Sequence, residues 1–307
     1  MLPRYSGIFE YGADRSDLAV RESAPSQRCP VVAPSSGRGP QLINVRRLTG
    51  LVAFILCVIS SLNLVRASAS DLQPGILGKD DRRIIESLNP PWAAIGQVNV
   101  TGYRRAQRCT GSLIAADLVI TAAHCIMDPG RRKPFPLHQI HFLAGVRGST
   151  WLAHSTAKCL HFDSEYEYVG PSKILPSLPF QEVPRRAFLQ DIVLIVLKEE
   201  LNNNLAPLEI DRAEGESSDL SLVHASYSAD RRYLLTGHLG CHLLARGQGL
   251  WFTDCDTHAA SSGGPVFVQR KEGLKLAAIM VGVARESGSI AVPTANWIEL
   301  GEKRNCP

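Results

Sequence analysis

At residues 118–125 the chain reads Leu-Val-Ile-Thr-Ala-Ala-His-Cys, an apolar run that ends in a histidine and a cysteine. Val and Ile favour strands, so we expect a strand that holds His124 at a rigid edge. Cys109 lies sixteen residues before Cys125, and a disulfide between them would close this hairpin and hold His124 in place. The alternative is a structural loop histidine that is satisfied by hydrogen bonds.

Two later segments supply the partners that a histidine needs for nucleophilic catalysis. Asp191 heads the apolar run Ile192–Leu197, where a partly buried carboxylate needs a partner. Ser262 precedes Gly263-Gly264-Pro265, and glycines allow a tight turn whose N–H groups face a developing oxyanion. A turn-capping aspartate and a Ser/Gly linker are the structural alternatives. In the order His124, Asp191, Ser262 these residues predict a serine hydrolase.

Short strand-like runs fill the chain from about residue 92 onward. They are rich in Val, Ile and Leu and are separated by Gly, Pro, Asp and Asn. Such a pattern over more than 200 residues predicts an all-β barrel or sandwich. A short helix is expected at 294–300, and residues 162–190, which are rich in Pro, Ser and charge, predict a long loop.

The overall composition is that of a globular protein. The 307 residues are 45% hydrophobic and 20% charged, which suits one or two domains. A net charge of +4 is too small to suggest nucleic-acid binding.

An export signal is predicted near the N-terminus. Residues 48–65 are mostly apolar, Arg46 and Arg47 precede them, and Ala67-Ser68-Ala69 follows as an A-x-A cleavage pattern. These three features together are typical of a secretory signal. An uncleaved membrane anchor is the alternative, although the run is near the lower length limit for a span and Asn63 interrupts it.

The signal divides the chain into four parts. Because signals normally start at the N-terminus, we interpret the residues before Val45 as a disordered or mis-annotated extension. The predicted parts are the extension at 1–44, the signal peptide or membrane anchor at 45–69, an N-terminal segment or propeptide at 70–91, and the folded domain at 92–307. We expect the mature protein to be periplasmic or extracellular, without stable membrane association once the signal is cleaved.

The cysteines agree with export. Two of the eight, Cys29 and Cys57, fall in the part expected to be removed. The even number that remains suggests three disulfides, and six cysteines allow 15 pairings. Besides Cys109 with Cys125, we expect Cys241 with Cys255, which flank a hairpin-like stretch, and by elimination Cys159 with Cys306. Zinc is the alternative, but the sequence contains no C-x-x-C.

We expect no metal and no cofactor. His138 and His141 form an H-x-x-H pair, but on a strand an offset of three places the two rings on opposite faces.

Three motifs together resemble the chymotrypsin/trypsin-like serine peptidases. They are Thr121-Ala-Ala-His-Cys125, Asp191-Ile-Val-Leu194 and Ser261-Ser-Gly-Gly-Pro265, in the chain order of that family. The resemblance runs from about residue 83 to the C-terminus. It implies two six-stranded antiparallel β-barrels with the active site in the cleft between them. It also implies a cofactor-free endopeptidase, expected to be monomeric, that acts on protein or peptide substrates through an acyl-enzyme.

Two further segments resemble a bacterial branch that includes the glutamyl endopeptidases. They are Asp80-Asp81-Arg82-Arg83 and Cys255-Asp256-Thr257. In animal trypsins the residue before the nucleophile is an aspartate that pairs with a freed N-terminus. Here that residue is Ser261, so we expect no such switch.

The sequence departs from the family at the oxyanion turn. The family usually has glycine two positions before the nucleophile, whereas this chain has Ala260. The expected oxyanion donors are the N–H groups of Ala260 and Ser262. If the turn needs a conformation that alanine resists, activity would fall about a hundredfold or more, the effect of losing one donor. A protease-fold binding protein without turnover is therefore the second hypothesis, and an esterase with the same triad is the third.

The specificity pocket is expected to include Asp256, Thr257 and Met280. In trypsins an aspartate six residues before the serine pairs with Arg or Lys, so Asp256 would direct cleavage after basic residues. The glutamyl endopeptidase-like branch often has Asp-Thr at the same place, so this inference stays open. In that branch a glutamate pocket contains a histidine on the strand after the nucleophile, at the position that Met280 is expected to occupy here, which argues against glutamyl specificity.

Overall fold

The computed structural model describes residues 75–101, 106–168, 188–201, 205–212, 220–284, 288–302 and 305–306. The expected extension at 1–44 and the expected signal at 45–69 lie outside the described residues, as does most of the expected loop at 162–190. None of the helices in the described ranges combines the length and the apolar character that a membrane crossing requires.

Fifteen strands make up most of the regular structure in the described part of the chain. They are β1 (Arg83–Ile84), β2 (Ile95–Thr101), β3 (Ala106–Ala115), β4 (Leu118–Ala122), β5 (Met127–Asp128), β6 (Lys133–Pro134), β7 (Ile140–Ala144), β8 (Ala153–Phe162), β9 (Ile192–Leu197), β10 (Ser221–Ser226), β11 (Thr236–Gly247), β12 (Leu250–Thr253), β13 (Pro265–Arg270), β14 (Gly273–Ala284) and β15 (Gly288–Pro293). Short 3-10 helices lie at Trp92–Ala94, Ala123–Ile126, Leu137–Gln139, Ala229–Arg231, Thr294–Asn296 and Leu300–Glu302.

The first barrel closes through six antiparallel strands in the order β2-β3-β4-β9-β8-β7. Strands β4 and β9 are buried along their whole length because their sequences are almost wholly apolar. They are antiparallel neighbours, with Ala122 opposite Ile192. The residues that follow β4 therefore lie beside the residue that precedes β9.

The second barrel closes through strands β10 to β15. The order β11-β10-β13-β14-β15-β12 returns to β11, whose second half pairs with β12. The first half of β11 also pairs with β1, where Arg83 lies opposite Gly237. The prediction of two six-stranded antiparallel barrels is confirmed, and a short N-terminal strand is added to the second one.

The predicted C-terminal helix is not confirmed. Residues 294–302 form two short 3-10 helices instead, Thr294–Asn296 and Leu300–Glu302. Between them Trp297 has φ −137°, outside the helical range, and its side chain is buried. Thr294 donates its hydroxyl to the carbonyl oxygen of Asp211 at 3.2 Å instead of capping a helix. Burial of Trp297 thus outweighs the local helical pattern.

Buried apolar side chains form two clusters. The larger contains residues of both barrels, among them Ile120 and Phe142 of the first and Phe252 and Phe267 of the second. The smaller lies within the second barrel around the half-cystines Cys241 and Cys255. Packing therefore joins the two barrels directly.

The described part of the chain contains three disulfides: Cys109–Cys125, Cys159–Cys306 and Cys241–Cys255. These are the pairs expected from the sequence. Cys159–Cys306 closes a loop with a sequence separation of 147 and joins strand β8 of the first barrel to the C-terminus.

Candidate active site

His124 and Asp191 meet where β4 ends and β9 begins. The two oxygens of the Asp191 carboxylate have separate partners on the same residue. Oδ1 accepts the backbone N–H of His124 at 2.7 Å, and Oδ2 lies 2.5 Å from His124 Nδ1. Asp191 is buried, and the backbone carbonyl of Asp191 also accepts the Ala123 N–H at 3.1 Å. This two-point contact orients the imidazole with Nδ1 toward the carboxylate and Nε2 away from it.

The electrostatic setting of His124 favours its charged form. Burial of the ring opposes protonation, but the negative charge of Asp191 and the hydrogen bond to it outweigh burial, so the pKa of His124 is raised above its usual value. A histidine with a raised pKa holds a proton well once it has accepted one.

Ser262 lies on a turn that only glycine can complete. Gly263 has φ +82°, and a Cβ there would lie 2.1 Å from both the Thr110 carbonyl oxygen and Thr121 Oγ1. At Gly264 a Cβ would lie 2.7 Å from the carbonyl oxygen of Ala225. The two glycines therefore let the serine turn pack against the backbone of both barrels.

The Ser262 turn is tied to the histidine segment. The Thr110 N–H in β3 donates to the Ser262 carbonyl at 2.9 Å. Cys125 Sγ lies 3.9 Å from that carbonyl oxygen and 3.8 Å from His124 Nε2. The disulfide Cys109–Cys125 is thus close to both the His124 ring and the Ser262 backbone. Among the described residues, no hydrogen bond joins Ser262 Oγ to His124 Nε2.

The two expected oxyanion donors have fixed directions. The Ala259 carbonyl accepts the Ala229 N–H at 2.7 Å, and the Ser261 carbonyl accepts the Gly264 N–H at 2.9 Å. In a trans peptide the N–H points opposite to the carbonyl of the same unit. The N–H groups of Ala260 and Ser262 therefore point away from these two bonds. Neither donates a backbone hydrogen bond within the described part of the chain.

Ala260 adopts the conformation that glycine usually supplies. Its φ is +72°, in the left-handed region, where a side chain costs about 1–3 kcal/mol. The Thr110 hydroxyl donates to the Ala260 carbonyl at 3.1 Å, which helps to hold this conformation. The alanine thus retains the shape of the oxyanion turn at an energetic cost.

Asp256 has a different environment from the pocket floor expected from the sequence. It is buried, and its carboxylate accepts the N–H of Leu77 at 3.1 Å on Oδ1 and the N–H of Asp81 at 2.8 Å on Oδ2. His238 Nδ1 accepts the Asp256 N–H at 3.0 Å. Burial raises the pKa of the Asp256 carboxyl. Both oxygens accept hydrogen bonds from the N-terminal segment, so the carboxylate faces that segment. Its assignment to the specificity pocket stays a prediction.

Thr257 and Met280 are also buried in structural contacts. The hydroxyl groups of Thr257 and Ser289 are 2.9 Å apart, and the Thr257 N–H donates to the Gly75 carbonyl at 2.7 Å. The Met280 side chain belongs to the smaller apolar cluster. Its backbone carbonyl accepts the Gly263 N–H at 2.7 Å, so the Met280 backbone supports the serine turn.

Sequence reasoning missed two contributors to this site. Thr110 contacts the serine turn through both its N–H and its hydroxyl, and that hydroxyl also accepts the Tyr227 N–H at 2.9 Å. Arg82 is buried beside Ser228, whose hydroxyl contacts Ser261 of the serine turn. The Asp-Asp-Arg-Arg run marked the region of Arg82, but the contact is between residues about 150 positions apart and leaves no local signal.

Potential metal ligands are few among the described residues. In two of the three candidate groups, the cysteines are already joined in the disulfides Cys109–Cys125 and Cys241–Cys255. In the third, ligand atoms of Asp81, His238 and Asp256 lie within 4.8 Å of one another, but the Asp256 oxygens are bound to backbone N–H groups.

The two histidines of the H-x-x-H pair lie on different elements. His138 is on the 3-10 helix Leu137–Gln139, and His141 is on β7. The ring of His141 stacks on His154 of β8. The expectation that this pair binds no metal stays a prediction.

A comparison with known proteins agrees with this arrangement. Residues 85–226 match the family model described as Trypsin. The match covers a little under half of the 307-residue chain. Phenoloxidase-activating factor 3 from Holotrichia diomphalia is 27% identical over 184 residues, which cover 55% of this chain and 48% of that protein. The chain thus spans about half the length of this curated relative.

Solved structures share the two-barrel fold of this chain. A Glu endopeptidase in complex with MPD matches with a TM-score of 0.58 and 15% identity, over 75% of this chain and 99% of that chain. The thermostable serine protease AL20 from an extremophilic microorganism matches with a TM-score of 0.52 and 15% identity, over 69% and 98% of the two chains. At this identity the likeness concerns the chymotrypsin-like fold.

Proposed function

We propose that this chain is an exported serine endopeptidase that cleaves peptide bonds through an acyl-enzyme. Ser262 attacks the scissile carbonyl, and His124 takes the serine proton and then gives it to the leaving amine. Asp191 orients His124 and stabilises its charged form. The observation that carries the proposal is the two-point contact of Asp191 with His124, next to the turn that bears Ser262.

The backbone of the serine turn supports the same reaction. The N–H groups of Ala260 and Ser262 would stabilise the oxyanion of the tetrahedral intermediate. Hydrogen bonds to the carbonyls of Ala259 and Ser261 set the directions of these donors. Donors that are oriented before the reaction need no rearrangement when charge develops.

A protease-fold binding protein is the second candidate function. It is favoured by the lack of a hydrogen bond between Ser262 Oγ and His124 Nε2 among the described residues, and by the strained φ of Ala260. In proteins of this type, however, the hydrogen bond between nucleophile and base is often long until substrate binds. We therefore place the enzyme first.

We also propose that the chain lies near the glutamyl endopeptidase branch. The Asp80–Arg83 segment and the fold shared with a Glu endopeptidase support a place near that branch. Met280 is buried where a glutamate pocket would have a histidine. Asp256 is buried and its oxygens accept the N–H groups of Leu77 and Asp81, which argues against cleavage after Arg or Lys directed by Asp256.

Three disulfides support export, because such bonds persist in oxidising compartments. We propose a periplasmic or extracellular monomer that acts on protein or peptide substrates.

An active-site label tests the enzyme against the binding protein. Protein that starts at Ser70, with its disulfides formed, is treated with a fluorophosphonate, and the modified residue is located by mass spectrometry. We expect labelling at Ser262 that is lost in Ser262→Ala and after denaturation. Folded protein that is not labelled would favour the binding protein.

A mixed peptide library read by mass spectrometry then defines the reaction. Cuts that are absent with Ser262→Ala would establish an endopeptidase, and their positions would give the residue preference. Labelled protein that hydrolyses ester substrates but no peptide would instead support an esterase.

A further inference from the structure

Arg82 reaches from the N-terminal segment to the residues behind the serine turn. Its side chain is only 2% exposed. Nη1 donates to Ser228 Oγ at 3.0 Å and to Asp230 Oδ1 at 3.2 Å, and Nη2 donates to Asp230 Oδ2 at 2.7 Å. The guanidinium thus holds both neighbours of Ala229. A planar fork of donors suits this task, whereas a single ammonium group does not.

Ala229 is the residue that directs one oxyanion donor. Its N–H donates to the Ala259 carbonyl at 2.7 Å. Because the peptide unit is trans, this bond also sets the direction of the Ala260 N–H. Movement of Ala229 would therefore rotate that donor.

Two side-chain contacts strengthen the same connection. Ser228 Oγ lies 3.2 Å from Ser261 Oγ, next to the nucleophile. Asp230 Oδ1 lies 3.7 Å from His258 Nδ1, at the start of the turn. The residues on each side of Ala229 thus contact Ser261, which follows Ala260, and His258, which lies two residues before it.

We propose that Arg82 is a positioning residue that keeps the N–H of Ala260 directed at the oxyanion of the substrate. This inference rests on the proposed peptidase activity. The need for such support follows from the φ of +72° at Ala260, because a strained residue keeps its conformation only when its surroundings impose it. The free energy that holds the turn comes in part from a residue that does not touch the substrate.

Steady-state kinetics of Arg82→Ala test the effect on the reaction. We expect kcat to fall about tenfold to a hundredfold, less than or equal to the loss of a whole oxyanion donor, with KM little changed. The affinity for a peptide boronate, which mimics the tetrahedral state, should fall by the same factor. Arg83→Ala is the matched control, because Arg83 is exposed and adjacent and its removal changes the charge equally.

Hydrogen exchange tests the connection without reference to activity. In Arg82→Ala the amides of residues 258–264 should exchange faster than in Arg83→Ala, measured on the intact folded chain. If the wild type is not labelled by fluorophosphonate yet shows this difference, the proposed function fails while the connection from Arg82 stands. If the wild type is active and both kcat and exchange are unchanged in Arg82→Ala, the inference is overturned.

A second variant covers the case in which Arg82→Ala does not fold. Arg82→Lys keeps the charge and the aliphatic stem but cannot bridge Ser228 and Asp230 at once. We expect a smaller but measurable loss of kcat and of boronate affinity. Wild-type values in Arg82→Lys would show that the bridge is not needed and would overturn the inference.

Discussion

The pairing of one carboxylate with one imidazole carries most of the chemistry proposed for this protein. Asp191 uses both oxygens on His124, so it controls the orientation of the ring and its affinity for a proton. Neither effect can be replaced by an amide, because an amide has no charge and presents only one acceptor oxygen.

The pH dependence of turnover should reflect this pair. His124 must be neutral to accept the proton of Ser262, and its pKa is raised by Asp191. The value of kcat/KM on a peptide substrate should therefore rise with pH and level off above the usual pKa of histidine.

Asp191→Asn should lower kcat by about 10⁴-fold, as the loss of this orienting group does in serine proteases. An unchanged rate in Asp191→Asn, with CD confirming the fold, would exclude the triad.

The backbone conformation of Ala260 is strained for alanine but would not be strained for glycine. Ala260→Gly should raise the free energy of unfolding by about 1 kcal/mol, because alanine at positive φ costs more than the entropy that it saves in the unfolded chain. Urea denaturation measures this change. Ala259→Gly is the control, since its φ is not positive, and there glycine should destabilise slightly. Equal effects of the two substitutions would contradict the strain at Ala260.

A buried histidine behind the serine turn should make stability depend on pH. His224 is 1% exposed, its Nδ1 lies 3.0 Å from the Pro265 carbonyl oxygen, and burial lowers its pKa to about 4. The unfolded chain binds a proton near pH 6.5, whereas the folded chain does not. The free energy of unfolding therefore has the full contribution of neutral His224 above about pH 6.5. This contribution, about 3 kcal/mol in total, is lost as the pH falls toward 4.

Urea titrations between pH 7.5 and pH 5 measure this contribution. His224→Asn keeps a donor for the Pro265 carbonyl but does not titrate, so its free energy of unfolding should decline less steeply with falling pH. His138→Asn, at an exposed site, should keep the wild-type slope. Parallel curves for the wild type and His224→Asn would contradict a buried neutral histidine.

Strand pairing decides which side chains meet. In β4 and β9 the pairs Thr121–Val193 and Ala122–Ile192 set the register, and a slip of one residue would turn every side chain to the other face. Both strands are buried on both faces, so the apolar pattern alone does not specify this register. The barrel neighbours β3 and β8 and the disulfide Cys109–Cys125 constrain it.

The disulfides should differ in their contribution to stability. Cys159–Cys306 closes a loop with a sequence separation of 147, and Cys241–Cys255 one of 14. Loop-closure entropy predicts that replacing the first pair by alanine costs about 2 kcal/mol more than replacing the second. Urea denaturation of the two double variants measures the difference. Equal losses would mean that the loops are already constrained in the unfolded chain.

Contacts between residues that are far apart in the sequence hold the folded chain together. The N-terminal segment lies on the second barrel through β1 and through the Asp256 carboxylate. Thr110 of the first barrel holds the serine turn of the second. Stability and the geometry of the candidate site therefore share the same contacts.

Removal of the N-terminal segment should destabilise the second barrel. A chain that starts at Trp92 lacks the two N–H groups that bind the buried Asp256 carboxylate, and each such hydrogen bond contributes about 1.5–3 kcal/mol. We expect the urea midpoint to fall relative to a chain that starts at Ser70. The same truncation is also made in Asp256→Asn. It should lower the free energy of unfolding less there than in the wild type, because the charged acceptor of the two N–H groups is already lost. A truncated chain of wild-type stability would contradict the contribution assigned to this segment.

Local sequence was sufficient for the class of fold and for a hypothesis about the chemistry. Short Val- and Ile-rich runs predicted a β protein, and three motifs named His124, Asp191 and Ser262. The cysteine spacings led to the three disulfide pairs. The short helix expected at 294–300 is not confirmed, because burial of Trp297 is a tertiary effect that no local pattern contains.

The roles of Asp256, Thr110 and Arg82 depended on the folded chain. A motif suggested that the Asp256 carboxylate faces a substrate, whereas folding directs it to backbone N–H groups about 175 residues away in the chain. A sequence motif records which groups are present and how they are spaced locally. Which donor reaches a buried acceptor depends on how the barrels pack, because hydrogen bonds act over about 3 Å in space and without regard to distance along the chain.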